Sequence, residues 1–379
     1  MSTHSTSNLS ANPSRGPLTG LKIIEFAGIG PGPFTGMMLA DMGADVILID
    51  RAADVARAAK YPRAASNRGK RSIALDLKSD ADREVVWTLL ESADALIEGF
   101  RPGVMERLGF GPDAVAARNP KLVYGRVTGW GQTGPLAQAA GHDINYVALT
   151  GVLSTSARPG QAPVIPPTIV GDMAGGAMFL AFGLVSALLE AQKSGLGQVV
   201  DAAMIDGVTA MSGLMHQMRS NGSWVDQVEH NFFSNASPFY EVFECSDGQY
   251  ISLGAIEPQF YAQLLKLLKL DDVDPALQYD TRTWPQLKQR MAATIQQKTR
   301  AEWQILLEGT DVCFAPVLSL TEAAEHPHNK SRALFVNVNG QQQPAPAPRF
   351  SRSMLREPSP GALCGEHTQE VLAELGIRR

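Results

Sequence analysis

A chain of 379 residues is long enough for about two domains, and 44% hydrophobic against 19% charged residues is the balance of a globular protein that buries its own core. A net charge of −5 argues against a nucleic-acid partner. Three widely spaced cysteines, Cys245, Cys313 and Cys364, argue against a disulfide framework or a zinc site and favour a reducing compartment, here expected to be the cytoplasm.

Residues 1–17 are rich in Ser, Thr and Asn and predict a disordered tail. Residues 22–27 read as a buried strand, Gly28 to Pro33 as a turn, 34–42 as a helix closed by Gly43, and 45–50 as a second strand. That βαβ opening predicts an α/β fold, with a parallel sheet covered by helices. Strands at 72–76, 95–98 and 122–128 and a helix at 83–92 continue it. Residues 154–168 are Pro/Gly/Ser-rich, a loop running into Asp172. The apolar run 173–189 is slightly short for a membrane span and reads as a buried core helix, followed by a short strand at 198–204.

The pattern changes near Ser220. Residues 239–253 predict a hairpin around Cys245-Ser246-Asp247-Gly248, and helices follow at 259–267, 284–298 and 300–309. The expected organisation is a large domain over 18–224 and a smaller α+β domain over 225–325. Residues 326–379 then return to the large domain as an extended strap at 341–349 and a last helix at 367–375.

The turn after the first strand invites a dinucleotide reading and fails it. The fingerprint needs glycine where Pro33 stands, and Pro31 and Pro33 offer no N–H to a pyrophosphate. A stronger phosphate signal follows. Between Arg51 and Arg71 stand seven basic residues, Arg51, Arg57, Lys60, Arg63, Arg68, Lys70 and Arg71, against one acid, Asp54. Lys78, Arg101 and Arg107 extend the theme. Several separated cations suit a ligand with several phosphates, and they would equally make a solvated basic face.

Two residues stand out as an acid/base pair. His142 follows a glycine in a loop, and imidazole titrates near neutral pH. Asp172 precedes a long apolar helix, where an aspartate could serve as N-cap, as acid/base, or as both. The free N–H groups of that helix could face a developing negative charge, and Gly175 and Gly176 would let a ligand approach closely. Glu257 precedes Pro258 at a helix start. It reads either as a favourably placed charge or as the carboxylate that orients a catalytic histidine. Asp201, Asp206 and His367 receive no chemistry.

Several segments resemble the 2-methylacyl-CoA racemase branch of the CaiB/BaiF (family III) CoA-transferases. They include Gly28-Ile29-Gly30-Pro31-Gly32-Pro33, Asn67-Arg68-Gly69-Lys70-Arg71-Ser72 and Phe100-Arg101-Pro102-Gly103-Val104. Gly129-Trp130-Gly131-Gln132-Thr133-Gly134-Pro135 and Gly365-Glu366-His367-Thr368 add to them. More specific to the racemase branch are Gly141-His142-Asp143-Ile144-Asn145-Tyr146 and Gly254-Ala255-Ile256-Glu257-Pro258-Gln259-Phe260.

The resemblance implies a Rossmann-like large domain with a parallel sheet plus a smaller α+β domain, in an interlocked homodimer. It implies inversion of the 2-carbon of 2-methylacyl-CoA thioesters by 1,1-proton transfer through an enolate, with His142 and Glu257 paired on one face and Asp172 on the other. It puts Arg51, Leu75, Leu77, Lys78, Arg101 and Arg107 around the CoA moiety and Asp143 and Tyr146 in contact with substrate. It calls for no metal, no cofactor beyond the CoA carried by the substrate, and neither a nucleic-acid nor a membrane partner.

One segment departs from the branch. Where its relatives commonly carry a Leu-Asp-Gly-Gly-like run before Pro-Phe-Tyr, this chain reads Phe232-Phe233-Ser234-Asn235-Ala236-Ser237. The departure leaves the acyl group open among branched fatty acids, sterol side chains and aryl-propionates. The main alternative is a CoA-transferase of the same family using Asp172 as nucleophile, which would have no evident use for His142 and Glu257. A non-catalytic CoA-binding protein is the third reading.

Overall fold

The computed structural model describes residues 16–378 except Asn235. The tail expected over residues 1–17 therefore falls outside the described residues, apart from Gly16 and Pro17. The Gly16 carbonyl accepts hydrogen bonds from both the N–H and the hydroxyl of Thr19.

The chain divides into two compact units. The larger takes the residues up to Thr150, Pro166–Met211, and those from Ala333 onward. Its centre is a six-stranded parallel sheet: β1 Lys22–Phe26, β2 Asp45–Arg51, β3 Arg71–Leu75, β4 Ala95–Glu98, β5 Val123–Thr128 and β6 Val199–Ala203. The order is β3-β2-β1-β4-β5-β6, the arrangement of a doubly wound nucleotide-binding fold. Alternation along the strands builds two cores. Ile24, Phe26, Ile47 and Ile73 face helix α2, Asp80–Glu91, and the last helix, Thr368–Glu374. Ile23, Val46, Ile97 and Val127 face α1, Pro31–Asp41, and α4, Ile169–Ser194. α3, Asp143–Leu149, precedes α4 in sequence, and α5, Met204–Met211, follows β6.

α1 and α4 are among the helices that begin earlier than the sequence reading has them. α1 starts at Pro31 rather than at residue 34, because proline is tolerated in a first turn whose N–H groups lack intrahelical partners anyway. α4 starts at Ile169, after Thr168 in a left-handed conformation at φ 59°. Its first ten residues, Ile169–Met178, are wound as π-helix, a form that often marks functional positions. Asp172 therefore sits inside the first turn and is not the N-cap.

α4 is also not a buried core helix throughout. Leu180, Leu184 and Leu188 are buried, while Met178, Phe182 and Leu189 are exposed, Phe182 by 76%. By length and composition alone it could cross a membrane. A sequence apolar all round does not distinguish a core face from an interaction face.

On the α1 side of the sheet lies a buried ion pair. The Lys70 ammonium, with its side chain fully buried, contacts both oxygens of the equally buried Glu25 carboxylate at 2.7 and 2.8 Å and donates to the Pro33 carbonyl at 2.9 Å. Burial pushes the Glu25 carboxyl up and the Lys70 ammonium down, and each charge counteracts the shift of the other.

The smaller unit comprises Gly151–Ile165 and Ser212–Arg332. A three-stranded antiparallel sheet, β7 Tyr240–Glu244, β8 Tyr250–Gly254 and β9 Phe314–Pro316, packs with helices α6 Pro258–Leu267, α7 Trp284–Ile295 and α8 Arg300–Leu307 around Phe239, Tyr261, Trp284 and Trp303. Residues 151–165 and 212–224, expected in the large domain, cluster here. Arg158 reaches the buried Glu241 at 3.0 Å, and Ser234 donates to the Thr155 carbonyl.

The strap expected over 341–349 is half a hairpin. Strand Gln341–Pro344 pairs antiparallel with Phe335–Val338 across Asn339-Gly340, both at positive φ. The last helix joins the large unit through Val371 and Leu372 in the core, and Arg71 bonds Glu370 and Glu374.

Replacing Lys70 by Met should lower stability by about 3–5 kcal/mol, because Glu25 is left buried without its counter-charge. Adding Glu25→Gln should restore most of it. Urea unfolding midpoints of the three variants check this, and equal losses in the single and double variants would refute it.

Candidate active site

In a doubly wound sheet, ligands bind beyond the carboxyl ends of the strands where the order reverses. Here the reversal falls between β1 and β4, and two cavities open along that edge. The first, about 530 Å³, is lined by Ile29, Gly30 and Pro31 after β1, Gly99 to Pro102 after β4, and Val127 to Trp130 at the end of β5. His142, Asn145, Tyr146 and Asp172 complete it. The second, about 830 Å³, lies beyond β1, β2 and β3 and includes Arg51, Arg57, Leu75, Leu77 and Lys78. Ile29 and Phe100 line both cavities.

His142 and Asp172 thus line one cavity. His142 is exposed, and its N–H donates to the Asn145 side chain at 3.0 Å, which fixes the backbone at the start of α3. Asp172 is half-buried. Burial pushes its carboxyl up, the neighbouring Asp143 adds to that, and His142 opposes it. The Asp172 carboxylate lies directly over Gly30, where a Cβ would stand 3.2 Å from Oδ2. With Gly30 at φ 70°, the glycine turn gives Asp172 its place as well as starting α1. Thr35 fastens the arrangement from below, its hydroxyl within hydrogen-bonding distance of the Pro31 and Ala177 carbonyls.

The remaining site residues of the sequence reading are sorted by the geometry. Asp143 is buried, and its Oδ1 accepts from the N–H of Gly171 at 2.6 Å and of Asp172 at 2.7 Å. It serves the backbone of the helix that carries Asp172. Those two N–H groups are consequently not free to meet an enolate. The Tyr146 ring lines the cavity, its hydroxyl donates to the Gly141 carbonyl, and it meets Trp130 edge-on at 4.7 Å. Gly175 does not make room for an acyl group. A Cβ there would strike Val208 and the Met204 carbonyl on α5, and one on Gly176 would meet Met204 and Pro31.

The basic cluster divides in two. Arg68 is buried against Asp41, Lys70 against Glu25, Arg71 bridges Asp45 and the last helix, and Arg63 pairs with Glu366. These four are structural. Arg51, Arg57 and Lys60 are exposed, with Arg51 and Arg57 sharing Asp54, and Lys78 lines the second cavity together with Arg51 and Arg57. Arg101 lines the first cavity, and exposed Arg107 lines neither. Asp201 accepts from the Gln132 N–H, and His367 accepts from the Ser72 N–H through Nδ1, so both hold backbone.

Glu257 stands on the smaller unit, exposed, immediately before α6, and its side chain makes no capping hydrogen bond. Around it is an aromatic ledge. Tyr279 donates to the Ile256 carbonyl at 2.8 Å, Phe232 meets Tyr279 at 6.3 Å, and Phe233 meets Phe232 at 3.8 Å and Tyr240 at 5.1 Å. After burial, the Glu257 charge raises the Tyr279 hydroxyl and the Cys313 thiol. Phe232 and Phe233, the departure noted in the sequence, lie in this ledge. Asn145 and Trp130 are cavity residues that the sequence reading assigned no role. Among the described residues no group of His, Cys, Asp and Glu could hold a metal ion.

Comparison with known proteins gives the family. Residues 18–368 match the model of CoA-transferase family III. The chain is 42% identical over 367 residues to alpha-methylacyl-CoA racemase of Mus musculus, covering 95% of this chain and 93% of the relative. It is 39% identical over 368 residues to the Homo sapiens protein of that name, covering 96% and 94%. A CaiB/BaiF family protein from Brucella suis superimposes with a TM-score of 0.82 at 26% identity, covering 96% of this chain and all of that one. The chain belongs to CoA-transferase family III.

Proposed function

We propose that this protein is an alpha-methylacyl-CoA racemase, inverting the 2-carbon of 2-methylacyl-CoA thioesters. The observation that carries the reading is the meeting of His142 and a raised-affinity Asp172 on one cavity beside a second cavity with exposed cations. A proton α to a thioester is far less acidic than any side chain, so its removal needs a positioned base and a stabilised enolate. Inversion needs a second group to return a proton to the other face. His142 and Asp172 are assigned those two roles, each serving as base for one enantiomer and acid for the other.

The nucleotide and phosphates of CoA are assigned to the second cavity, with Arg51, Leu75, Leu77 and Lys78, and the pantetheine to the passage past Ile29 and Phe100. Arg101, on the first cavity, supplies further charge along the way, and exposed Arg107 adds to the positive field beyond it. The substrate carries the only cofactor the reaction needs.

Glu257 is assigned to His142 as its carboxylate partner, contributed by the second chain of a homodimer. The exposed apolar face of α4 supports such a dimer, since Phe182 and Leu189 in water are a standing cost that a second copy would remove. The aromatic ledge beside Glu257 then meets the acyl group. Action in the cytoplasm is consistent with three unpaired cysteines.

Three outcomes test this. In deuterated water, one pure enantiomer of a 2-methylacyl-CoA should take up deuterium at C2 and invert. With His142→Ala, inversion should fall by about 10²–10⁴. Deuterium uptake should then persist from one enantiomer only, the one whose proton Asp172 removes. NMR with chiral separation reads both, and no uptake by the unaltered protein would refute the racemase. A transferase using Asp172 as nucleophile would instead move CoA to free carboxylates in the same His142 variant.

Coexpressed His142→Ala and Glu257→Ala chains should regain about a quarter of the activity, because random pairing gives half heterodimers with one intact site each. Failure to regain any would exclude sharing of the site. Arg51→Ala and Lys78→Ala should each weaken CoA binding by about tenfold without moving the melting temperature, given the strength of charge-assisted phosphate contacts. Calorimetry and thermal melts distinguish this from a structural role.

A further inference from the structure

Asp143 follows His142 directly in the chain, yet it does different work. Its side chain is buried, 6% exposed, and its one oxygen Oδ1 takes two backbone hydrogen bonds, from Gly171 and Asp172, at 2.6 and 2.7 Å. These donors belong to the first turn of α4, where backbone N–H groups have no intrahelical partners. Gly171 is required for the contact, since a Cβ there would stand 2.6 Å from the same Oδ1. The opening of α4 is held from the other side by Gly30, over which the Asp172 carboxylate lies. A residue of α3 thus clamps the opening turn of α4, and His142 is the N-cap of α3.

We propose that Asp143 is a positioning residue that fixes the Asp172 carboxylate relative to His142 by clamping the opening turn of the π-wound helix. This rests on the racemase reading for its consequence, not for its geometry. Two properties follow from one carboxylate. Its hydrogen bonds set where Asp172 stands. Its negative charge, next to Asp172 and away from water, makes the Asp172 anion harder to form.

The clamp and the charge are separable. Asparagine in place of Asp143 keeps an Oδ1 acceptor and removes the charge, whereas alanine removes both. The other charged and titratable groups on the elements packed against the opening of α4 are few. α3 brings His142 and Tyr146, α5 brings Asp206, and β6 brings Asp201, which is engaged with Gln132. Arg101 lies on the shared cavity. α1 ends in Asp41, which is paired with Arg68, and β5 holds Tyr124, which donates to the Phe110 carbonyl, and Arg126, which is paired with Glu98 and Glu106. Asp143 is the carboxylate in direct contact with the Asp172 backbone.

The test has a readout that needs no turnover. The Asp172 side-chain carboxyl carbon is followed by NMR against pH in the full-length protein, unaltered, Asp143→Asn and Asp143→Ala. In the asparagine variant its midpoint should fall, because a like charge has gone while the clamp remains. In the pH profile of kcat, the limb that needs Asp172 ionised should move to lower pH with it, and KM should change little. The alanine variant should lose kcat by at least tenfold beyond the asparagine variant. A midpoint unchanged in both variants would overturn the electrostatic half. Equal kcat in both would overturn the clamp. If the unaltered protein exchanges no α-proton, the racemase reading fails while the titration still decides the positioning claim. Thermal melts show whether the alanine variant is folded, and if it is not, Asp143→Ser supplies a smaller acceptor for the same comparison.

Discussion

The ion pair of Lys70 and Glu25 is the contact on which the active edge of the large unit depends. Glu25 lies in the middle of β1 and Lys70 immediately before β3, and neither side chain touches water. Desolvating two charges is expensive, and only close approach and further hydrogen bonds offset it. The further bond is to the Pro33 carbonyl, in the first turn of α1. One ammonium therefore ties two strands to the turn on which Asp172 rests. Gly36 belongs to the same design, since a Cβ there would lie 1.8 Å from the Glu25 carboxylate. A hydrophobic pair could fill this volume, but it could not reach out and hold a carbonyl.

From that anchor the positions of the cavities follow. A parallel sheet sends every strand's carboxyl end to one edge, and the reversal of order between β1 and β4 leaves a crevice there. Loops after β1, β4 and β5 wall the first cavity, and loops after β1, β2 and β3 wall the second. The same turn, Gly28 to Pro33, serves both the fold and the site. Its prolines offer no N–H to a phosphate, and the Asp172 carboxylate lies over its glycine at position 30. A sheet order shared with dinucleotide-binding proteins thus carries a different chemistry at the same edge.

Much of this was legible in the sequence. Period-two and continuous apolar runs located the strands, and a histidine and an aspartate thirty residues apart emerged as the pair that the fold brings to one cavity. What the sequence hid was partnership. Arg68, Lys70 and Arg71 read as phosphate cations, yet Asp41, Glu25 and Asp45 claim them, at separations of 26 to 45 residues that no local pattern reveals. Asp143 read as a substrate contact because its backbone clamp to Gly171 lies 28 residues away. The hairpin at Asn339-Gly340 had a local signal that was outweighed by the surrounding Gln and Pro. The exposed face of α4 could not be separated from a buried one, since both are apolar.

The pairing of a carboxyl with an imidazole raises a question of balance. A racemase interconverts equals, so neither direction should leave the protein in a protonation state that is costly to reset. After one turnover the proton has passed from one group's side to the other, and the two resting forms differ by the position of that proton. A carboxyl with its ordinary affinity would hold a proton far more weakly than an imidazole does, and one of those forms would be scarce. Half-burial of Asp172, with Asp143 beside it, moves its affinity toward that of an imidazole. In the roles proposed for His142 and Asp172, the buried neighbour that fixes the carboxylate in space also raises its hold on a proton, the direction that a two-sided exchange between a carboxyl and an imidazole requires.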